Sequence, residues 1–158
     1  MWLRDKLDTT IGMIRELQKG LITNASQYAD VIVPGFTHLQ HAQPVLWSHH
    51  MLAYTEMFER DRQRLADARK RTNLCPLGAG ALAGSTLPLD RELVAQKLGF
   101  DGVLQNSMDA VADRDYFVEG LSVLAIIAMH TSRLAEEMVL WASSEFGLVV
   151  FDDAFCTG

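Results

Sequence analysis

The sequence predicts an all-α fold in which long antiparallel helices form a helical bundle that completes its core by oligomerisation. Apolar residues recur at three- and four-residue steps over long stretches, which is the spacing of one helix face. We find no stretch with the two-residue alternation that is typical of a strand. Hydrophobic residues make up 49% of the 158 residues, enough for the core of one domain. We therefore expect a single helical domain over residues 1–158.

The first two helices are predicted from their apolar stripes. The stripe of the first, which runs to about Tyr28, consists of Leu3, Leu7, Ile11, Ile14, Leu17 and Leu21. Proline lacks an amide hydrogen and is tolerated in a first helical turn, so Pro34 predicts the end of the preceding segment and Pro44 the start of the second helix. The stripe of the second helix, which fades near Thr72, consists of Trp47, Met51, Tyr54, Phe58 and Leu65.

The second half of the chain is predicted to hold a loop, a short helix and a third long helix. Residues 73–88 contain three glycines and two prolines, which favours a loop. A short helix from Asp90 to Leu98 is closed by Gly99, since glycine suits the left-handed position after a helix. Ser107 can cap a helix that continues to about Glu145 and is about 58 Å long at 1.5 Å per residue.

The third helix has more apolar surface than one core face needs. Its stripe includes Val111, Phe117, Leu121, Leu124, Ala128, Leu134, Met138 and Trp141. Further apolar residues outside that stripe are Val118, Val123, Ile126, Ile127 and Met129. Such a wide apolar surface indicates a helix that is buried between subunits.

Charge and composition exclude several classes of protein. The formal net charge of −6 argues against a nucleic-acid partner or an anionic membrane surface, which need clustered Lys and Arg. Cys75 and Cys156 lack the spacing of a disulfide framework or a zinc site. The N-terminus has no signal-peptide pattern, and the longest apolar run, residues 123–129, is far below the roughly 20 residues that span a bilayer. We expect a soluble cytoplasmic protein with no metal and no cofactor.

Residues 34–44 form the most informative stretch, because hydrogen-bonding side chains are concentrated between two prolines. Thr37 carries a hydroxyl, His38 has a ring that can titrate near neutral pH, and Gln40 and Gln43 carry amides. Together these groups could bind a carboxylate and move a proton. The segment therefore predicts an acid-base enzyme.

This segment resembles the Thr-His-Leu-Gln-x-Ala-Gln-Pro signature of the argininosuccinate lyase and delta-crystallin branch of the fumarase and aspartase superfamily. Residues 76–84 with 89–92, and residues 106–115, are similar to further motifs of that family in order and spacing. Gln43 favours this branch, since fumarase-like relatives usually have Ala-Thr-Pro at that place. The resemblance covers nearly the whole chain.

The resemblance implies elimination of arginine from argininosuccinate to give fumarate, in arginine biosynthesis, by a homotetramer. Such a reaction removes a carbon-bound proton beside a carboxylate and protonates the leaving nitrogen. An acid-base group contributes about 10² to 10⁴-fold to such steps. By the motif His38 is the acid-base catalyst and Thr37 is the substrate ligand. Gln40 and the first-turn amides behind Pro44 are candidate donors to the substrate carboxylate.

The motifs contain other polar residues that the resemblance does not assign to a catalytic role. Gln43, Asn106 and Arg114 are candidate neighbours of the site, each with a structural role as the equal alternative. His41 stands where the family often has Arg. His49, His50 and His130 lie on predicted helices and are interpreted as packing or surface residues.

The resemblance also implies family elements on either side of this sequence. A Ser-Arg-Asn-Asp motif precedes it in the family, and a Ser-Ser-x-Met-Pro-x-Lys-x-Asn loop with the catalytic serine follows. We therefore expect the central part of a longer lyase, inactive by itself. Two alternatives stay open: a structural protein of the delta-crystallin type, and another fumarate-producing lyase such as adenylosuccinate lyase.

Overall fold

The computed structural model describes residues 1–156, and helices dominate it. The helices are α1 (Trp2–Gln27), α2 (Trp47–Thr72), α3 (Arg91–Lys97), α4 (Ser107–Ala112), α5 (Asp115–Ala142) and a 3-10 turn (Asp153–Phe155). The strands are β1 (Ile32–Thr37), β2 (Gln40–Leu46), β3 (Leu74–Cys75) and β4 (Gly102–Val103). The helical content confirms the predicted fold class.

Contacts divide the chain into two compact units. The first contains residues Met1–Ile14 and Arg62–Leu124, and the second contains Arg15–Asp61 together with the described residues from Ala125 onward. A single domain over the whole chain stays a prediction.

The first unit is held by a small apolar core and by polar ties between distant segments. Its buried apolar side chains include Leu7, Leu65, Ala68, Cys75, Ala95 and Val123. Arg4 Nη1 donates to Asn73 Oδ1 at 2.9 Å and to the Gly99 carbonyl at 2.7 Å. Gly99 has a φ of 68°, as the predicted end of the short helix requires. That helix begins after Asp90, whose carboxylate accepts from the Leu93 amide at 2.9 Å.

The second unit has an aromatic core that holds the start of α2 against the end of α5. Its buried apolar side chains include Leu21, Trp47, Met51, Tyr54, Phe58 and Trp141. The rings of Trp47 and Trp141 pack edge to face with centroids 5.0 Å apart. Trp47 Nε1 donates to Asn24 Oδ1 at 2.6 Å, which ties the first turn of α2 to α1. This core lies directly behind the strand that leads into α2.

The prediction that Pro44 starts the second helix is wrong, as is the absence of strands. Pro34 and Pro44 lie opposite each other in the antiparallel pair of β1 and β2. In a two-stranded sheet every strand is an edge strand, which is where proline is tolerated. The helix begins three residues later at Trp47, whose amide donates to the Val31 carbonyl at 2.8 Å. No first-turn amides of α2 therefore follow Pro44 directly.

The third long helix is broken in two, against the prediction. Asn106 rather than Ser107 caps α4, because its Oδ1 accepts from the amides of Met108 and Asp109 at 3.0 and 3.1 Å. Asp113 then takes an extended backbone with ψ of 128°, and its carboxylate accepts from the Asp115 amide at 2.8 Å. This capping starts α5 afresh at Asp115 and ends the continuous helix that apolar spacing predicts.

The assignment of the apolar faces of α5 is also wrong in part. Val123, expected outside the core stripe, is 6% exposed, whereas Leu121, expected within it, is 66% exposed. By length and composition α5 is the one helix of the described residues that could cross a membrane, and 17% of its most apolar window is buried. Most of its apolar surface therefore has no partner within the described chain.

Candidate active site

A β-hairpin brings the three predicted site residues together. β1 ends at Thr37, β2 begins at Gln40, and His38 and Leu39 form the two-residue turn between them. Thr37 and Gln40 are directly paired across the hairpin, so their side chains share one face. His38 lies at the tip, and all three residues are exposed. The hairpin thus presents a hydroxyl, an imidazole and an amide within four consecutive residues.

The turn has a backbone that is unusual for its residues. His38 has a φ of 53° and Leu39 a φ of 59°, and no other non-glycine residue described has a positive φ. Two successive positive φ angles define the turn type that matches the twist of a hairpin, and this type strongly favours Asn-Gly or Asp-Gly. Histidine tolerates this region better than leucine does. Sparsely populated backbone states cost of order 1–3 kcal/mol each and are concentrated at functional sites.

The opposite face of the hairpin is anchored by aromatic packing. Phe36 pairs with His41, and their ring centroids are 5.0 Å apart. Phe36 also meets the edge of Phe146 at 4.9 Å. At Gly35, where the register shifts, a Cβ atom would come within 2.7 Å of the Gln43 carbonyl oxygen. The Phe36 side of the hairpin therefore packs on the rest of its unit, and Thr37 and Gln40 remain exposed.

A cavity of about 310 Å³ lies against the base of the hairpin. Its polar lining comes from Thr37, Gln43, His50 and Glu137, and its apolar lining includes Phe36 and Trp141. Thr37 is the one residue among the three predicted site residues that reaches this cavity. Hydroxyl, amide, imidazole and carboxylate groups around a partly apolar space are suited to a small polar ligand.

His50 and Glu137 form a pair in the wall of this cavity. His50 Nε2 lies 2.6 Å from Glu137 Oε2, and both side chains are about one third exposed. The His50 ring also packs edge to face on Trp141, with centroids 4.7 Å apart. This pair joins the first turn of α2 to the last turns of α5. It therefore holds the start of α2, which directly follows β2, against the end of α5.

Tyr54 lies one turn after His50 and is 2% exposed. Within the described residues its hydroxyl makes no hydrogen bond of standard geometry, but the Glu137 carboxylate lies close enough to interact with it. Burial raises the pKa of this hydroxyl far above its usual range, and the nearby Glu137 carboxylate raises the pKa further. Tyr54 is therefore neutral at physiological pH, and its protonated hydroxyl can act as a hydrogen-bond donor.

Of the remaining polar candidates, Gln43 faces the cavity and the others make local structural contacts. His41 packs on Phe36, and Gln43 lines the cavity. Asn106 caps α4, and Arg114 Nη1 donates to the Val111 carbonyl at 3.0 Å and the Asp113 carbonyl at 2.6 Å. Asn106 and Arg114 belong to the first unit and the hairpin to the second.

Sequence reasoning missed the pairing of His50 with Glu137. The sequence interpretation assigned His50 to packing or the surface and did not single out Glu137. The two residues are 87 positions apart on different helices, and no motif spacing joins such a pair. His130 is buried as a packing residue, with Nδ1 2.6 Å from Asp61 Oδ2.

Comparison with known proteins places this chain in a family of enzymes. A protein-family profile described as "Lyase" matches residues 1–158, so the chain belongs to the lyase family. This confirms the resemblance that residues 34–44 indicate.

Curated relatives specify the similarity further. The chain is 54% identical to argininosuccinate lyase from Ralstonia nicotianae over 158 residues, 55% identical to the one from Leptothrix cholodnii, and 56% identical to the one from Bordetella pertussis. These alignments include 100% of this chain and 33% or 34% of each relative. The chain thus spans about a third of the length of the curated relatives it matches.

Solved structures share the fold. A crystal structure of EDDS lyase in complex with formate matches with a TM-score of 0.96 and 35% identity, over 98% of this chain and 31% of that one. A variant of EDDS lyase with bound fumarate matches with a TM-score of 0.95 at the same identity and coverage.

Proposed function

We propose that the full-length protein is an argininosuccinate lyase that cleaves argininosuccinate reversibly to arginine and fumarate in arginine biosynthesis. The observation that carries this proposal is the hairpin that presents Thr37, His38 and Gln40 together, in a chain 54 to 56% identical to relatives of that name. Closely related structures named as lyases share the fold.

The hairpin supplies chemistry that the reaction needs. The imidazole of His38 can donate or accept a proton near neutral pH, which suits transfer to or from a substrate nitrogen or a partner base. The Thr37 hydroxyl and the Gln40 amide share a face and can donate to a substrate carboxylate, where negative charge develops as the carbon-bound proton is removed. No step in this scheme requires a metal or an organic cofactor.

The hairpin supplies only part of the catalytic centre in this proposal. The chain spans about a third of its curated relatives, and the family resemblance assigns the proton-abstracting serine to a loop outside these residues. Residues 1–158 alone should therefore release no fumarate from argininosuccinate.

Substrate comparison with the full-length protein tests the assignment. We expect fumarate release from argininosuccinate, with little or none from adenylosuccinate at the same concentration. Preference for adenylosuccinate would assign the protein to the sister lyase. Absence of turnover with both substrates, in a folded full-length protein, would favour a structural role of the delta-crystallin type.

We also propose that α5 mediates assembly of a homotetramer. Val118, Leu121, Met129 and Val139 are 50 to 66% exposed and lie on one face of α5 at 100° per residue. Ser132 and Glu136 interrupt this face between Met129 and Val139, so its apolar part extends from Val118 to Met129. Exposed apolar surface of this kind marks an interaction site. The same face would also suit a lipid environment, but the buried Asp61–His130 pair ties α5 to α2 with polar groups.

A charge on that face should disrupt the assembly. Leu121→Glu in the full-length protein should reduce the mass measured by light scattering from a tetramer to smaller species, since a buried unpaired carboxylate is costly. Thr131→Glu, at an exposed polar position outside that set and about 80° around α5 from Leu121 at 100° per residue, is the matched control and should remain tetrameric. An unchanged mass for Leu121→Glu would contradict this role of α5. We place the assembled enzyme in the cytoplasm, where arginine precursors are made.

A further inference from the structure

We infer that Leu39 is a positioning residue for His38 and that it acts through its left-handed backbone rather than through its side chain. This inference rests on the proposed lyase function, because it concerns the turn that carries the acid-base histidine. It assigns a role to a residue that carries no acid, base or hydrogen-bonding group.

Leu39 is poorly suited to its left-handed backbone conformation. Leu39 has a φ of 59°, a region in which the Cβ atom of an L-residue is crowded by its own backbone. Its side chain is 66% exposed, so core packing within the described chain does not hold it there. Such strain persists only where the surrounding structure imposes it, and here the paired strands β1 and β2 fix the turn from both sides.

The consequence of this backbone is the direct pairing of Thr37 with Gln40. Turns with positive φ at both central residues match the twist of the flanking strands, whereas the common turns with negative φ splay the strands apart. If Leu39 moved to a negative φ, the Thr37–Gln40 pair would open and the His38 ring would be aimed elsewhere. The turn therefore fixes the hydroxyl, the imidazole and the amide relative to one another.

Two substitutions separate the backbone from the side chain. Valine keeps an apolar side chain but is β-branched and poorly suited to positive φ, while asparagine loses the apolar side chain and accepts positive φ readily. If the backbone matters, Leu39→Asn keeps activity and Leu39→Val loses it. If the side chain matters instead, the order is reversed.

The experiment measures kcat, KM and the pH profile of kcat for both variants in the full-length protein. We expect Leu39→Val to lower kcat about 10²-fold, the cost of a misplacement on the order of 1 Å, with an altered pH profile. Leu39→Asn should stay within about threefold of the wild type, on the same argument from orientation. Leu93→Val, at an exposed leucine of α3 with an ordinary backbone, is the matched control and should have no effect.

Hydrogen exchange of the amides in residues 36–42 provides a second measurement that does not depend on turnover. Faster exchange in Leu39→Val than in Leu39→Asn is expected, because only valine opens the turn. Equal exchange in the two variants, or loss of activity in Leu39→Asn with retention in Leu39→Val, would overturn the inference.

The two measurements also separate this inference from the proposed function. If the wild type releases no fumarate, the lyase proposal fails, and the exchange comparison still decides whether the Leu39 backbone closes the turn. If the wild type is active and both variants match it, the lyase proposal stands and the positioning role falls.

Discussion

At the scale of single residues, the exposed hairpin turn differs from the buried polar pair that joins α2 to α5. His38 and Leu39 combine an exposed position with a strained backbone, a pattern associated with function. Asp61 and His130 form a buried pair, with exposed fractions of 0% and 7%. Buried charged or polar pairs hold a particular arrangement more than they add stability, yet removing one partner is costly. Substitution in the turn should therefore change activity more than stability, and substitution in the buried pair should change stability more than activity.

Loss of His130 should destabilise the fold without touching the hairpin chemistry. His130→Ala leaves the buried Asp61 carboxylate without its imidazole partner and opens space beside Phe58, which meets the His130 ring edge to face. We expect the free energy of unfolding to fall by about 3 kcal/mol per chain, seen as a lower midpoint of urea denaturation. His49→Ala, at an exposed histidine of α2, should leave the midpoint unchanged. Equal midpoints for the two variants would contradict a supporting role for the buried pair.

At the scale of elements, sequence spacing predicts the helices well and the hairpin not at all. α1 and α2 follow from apolar periodicity, and the end of α3 follows from Gly99, whereas the Asp90 cap is seen only in the structure. β2 lacks alternating burial, since its first five residues, Gln40 to Pro44, are all exposed. The turn also has His-Leu in place of Asn-Gly. Two prolines then suggest a helix boundary where the structure has paired edge strands.

The break between α4 and α5 escapes sequence reasoning for a different reason. Apolar spacing continues from Val111 to Phe117, so periodicity alone gives one helix. What interrupts it is the Asp113 side chain, which accepts from the Asp115 amide and competes with the helical backbone. Local capping by an aspartate within an apolar pattern is the signal that could have indicated this break.

The tie between α2 and α5 in the first unit should depend on pH. Glu119 accepts from Arg71 Nε at 2.8 Å, and this hydrogen bond with Arg71 holds the pKa of the Glu119 carboxyl below its usual value of 4.5. A lowered carboxyl pKa stabilises the fold above the unfolded pKa, and the effect is lost as the pH falls through the folded pKa. Glu119→Gln should therefore lower the thermal midpoint slightly at pH 7 and have no effect once Glu119 is protonated.

A matched measurement checks this pH dependence. Thermal midpoints of the wild type, Glu119→Gln and Glu136→Gln are compared at pH 7 and along a series of decreasing pH that extends below the folded pKa of Glu119. Glu136 is exposed on α5 and serves as the control. A deficit of Glu119→Gln that persists unchanged in acid would show that the ion pair is not its cause.

At the scale of the whole molecule, the described chain exposes more apolar surface than one core needs, because α5 keeps most of its apolar face uncovered. In the proposed function the hairpin supplies one part of a lyase site. Sequence periodicity predicts the excess apolar surface but assigns Val123 and Leu121 to the wrong faces. Which face of α5 is buried depends on contacts with residues far away in sequence. Assembly and catalysis are therefore expected to depend on each other in the full-length protein.

The central claim is that His38 at the hairpin tip transfers a proton in the lyase reaction, and one comparison of kcat tests it most directly. His38→Asn in the full-length protein removes the imidazole while asparagine still accepts the positive φ of 53°. We predict a fall of about 10² to 10⁴-fold in kcat for argininosuccinate cleavage, with an unchanged thermal midpoint and with His49→Asn fully active. A folded His38→Asn enzyme with wild-type kcat would contradict the account.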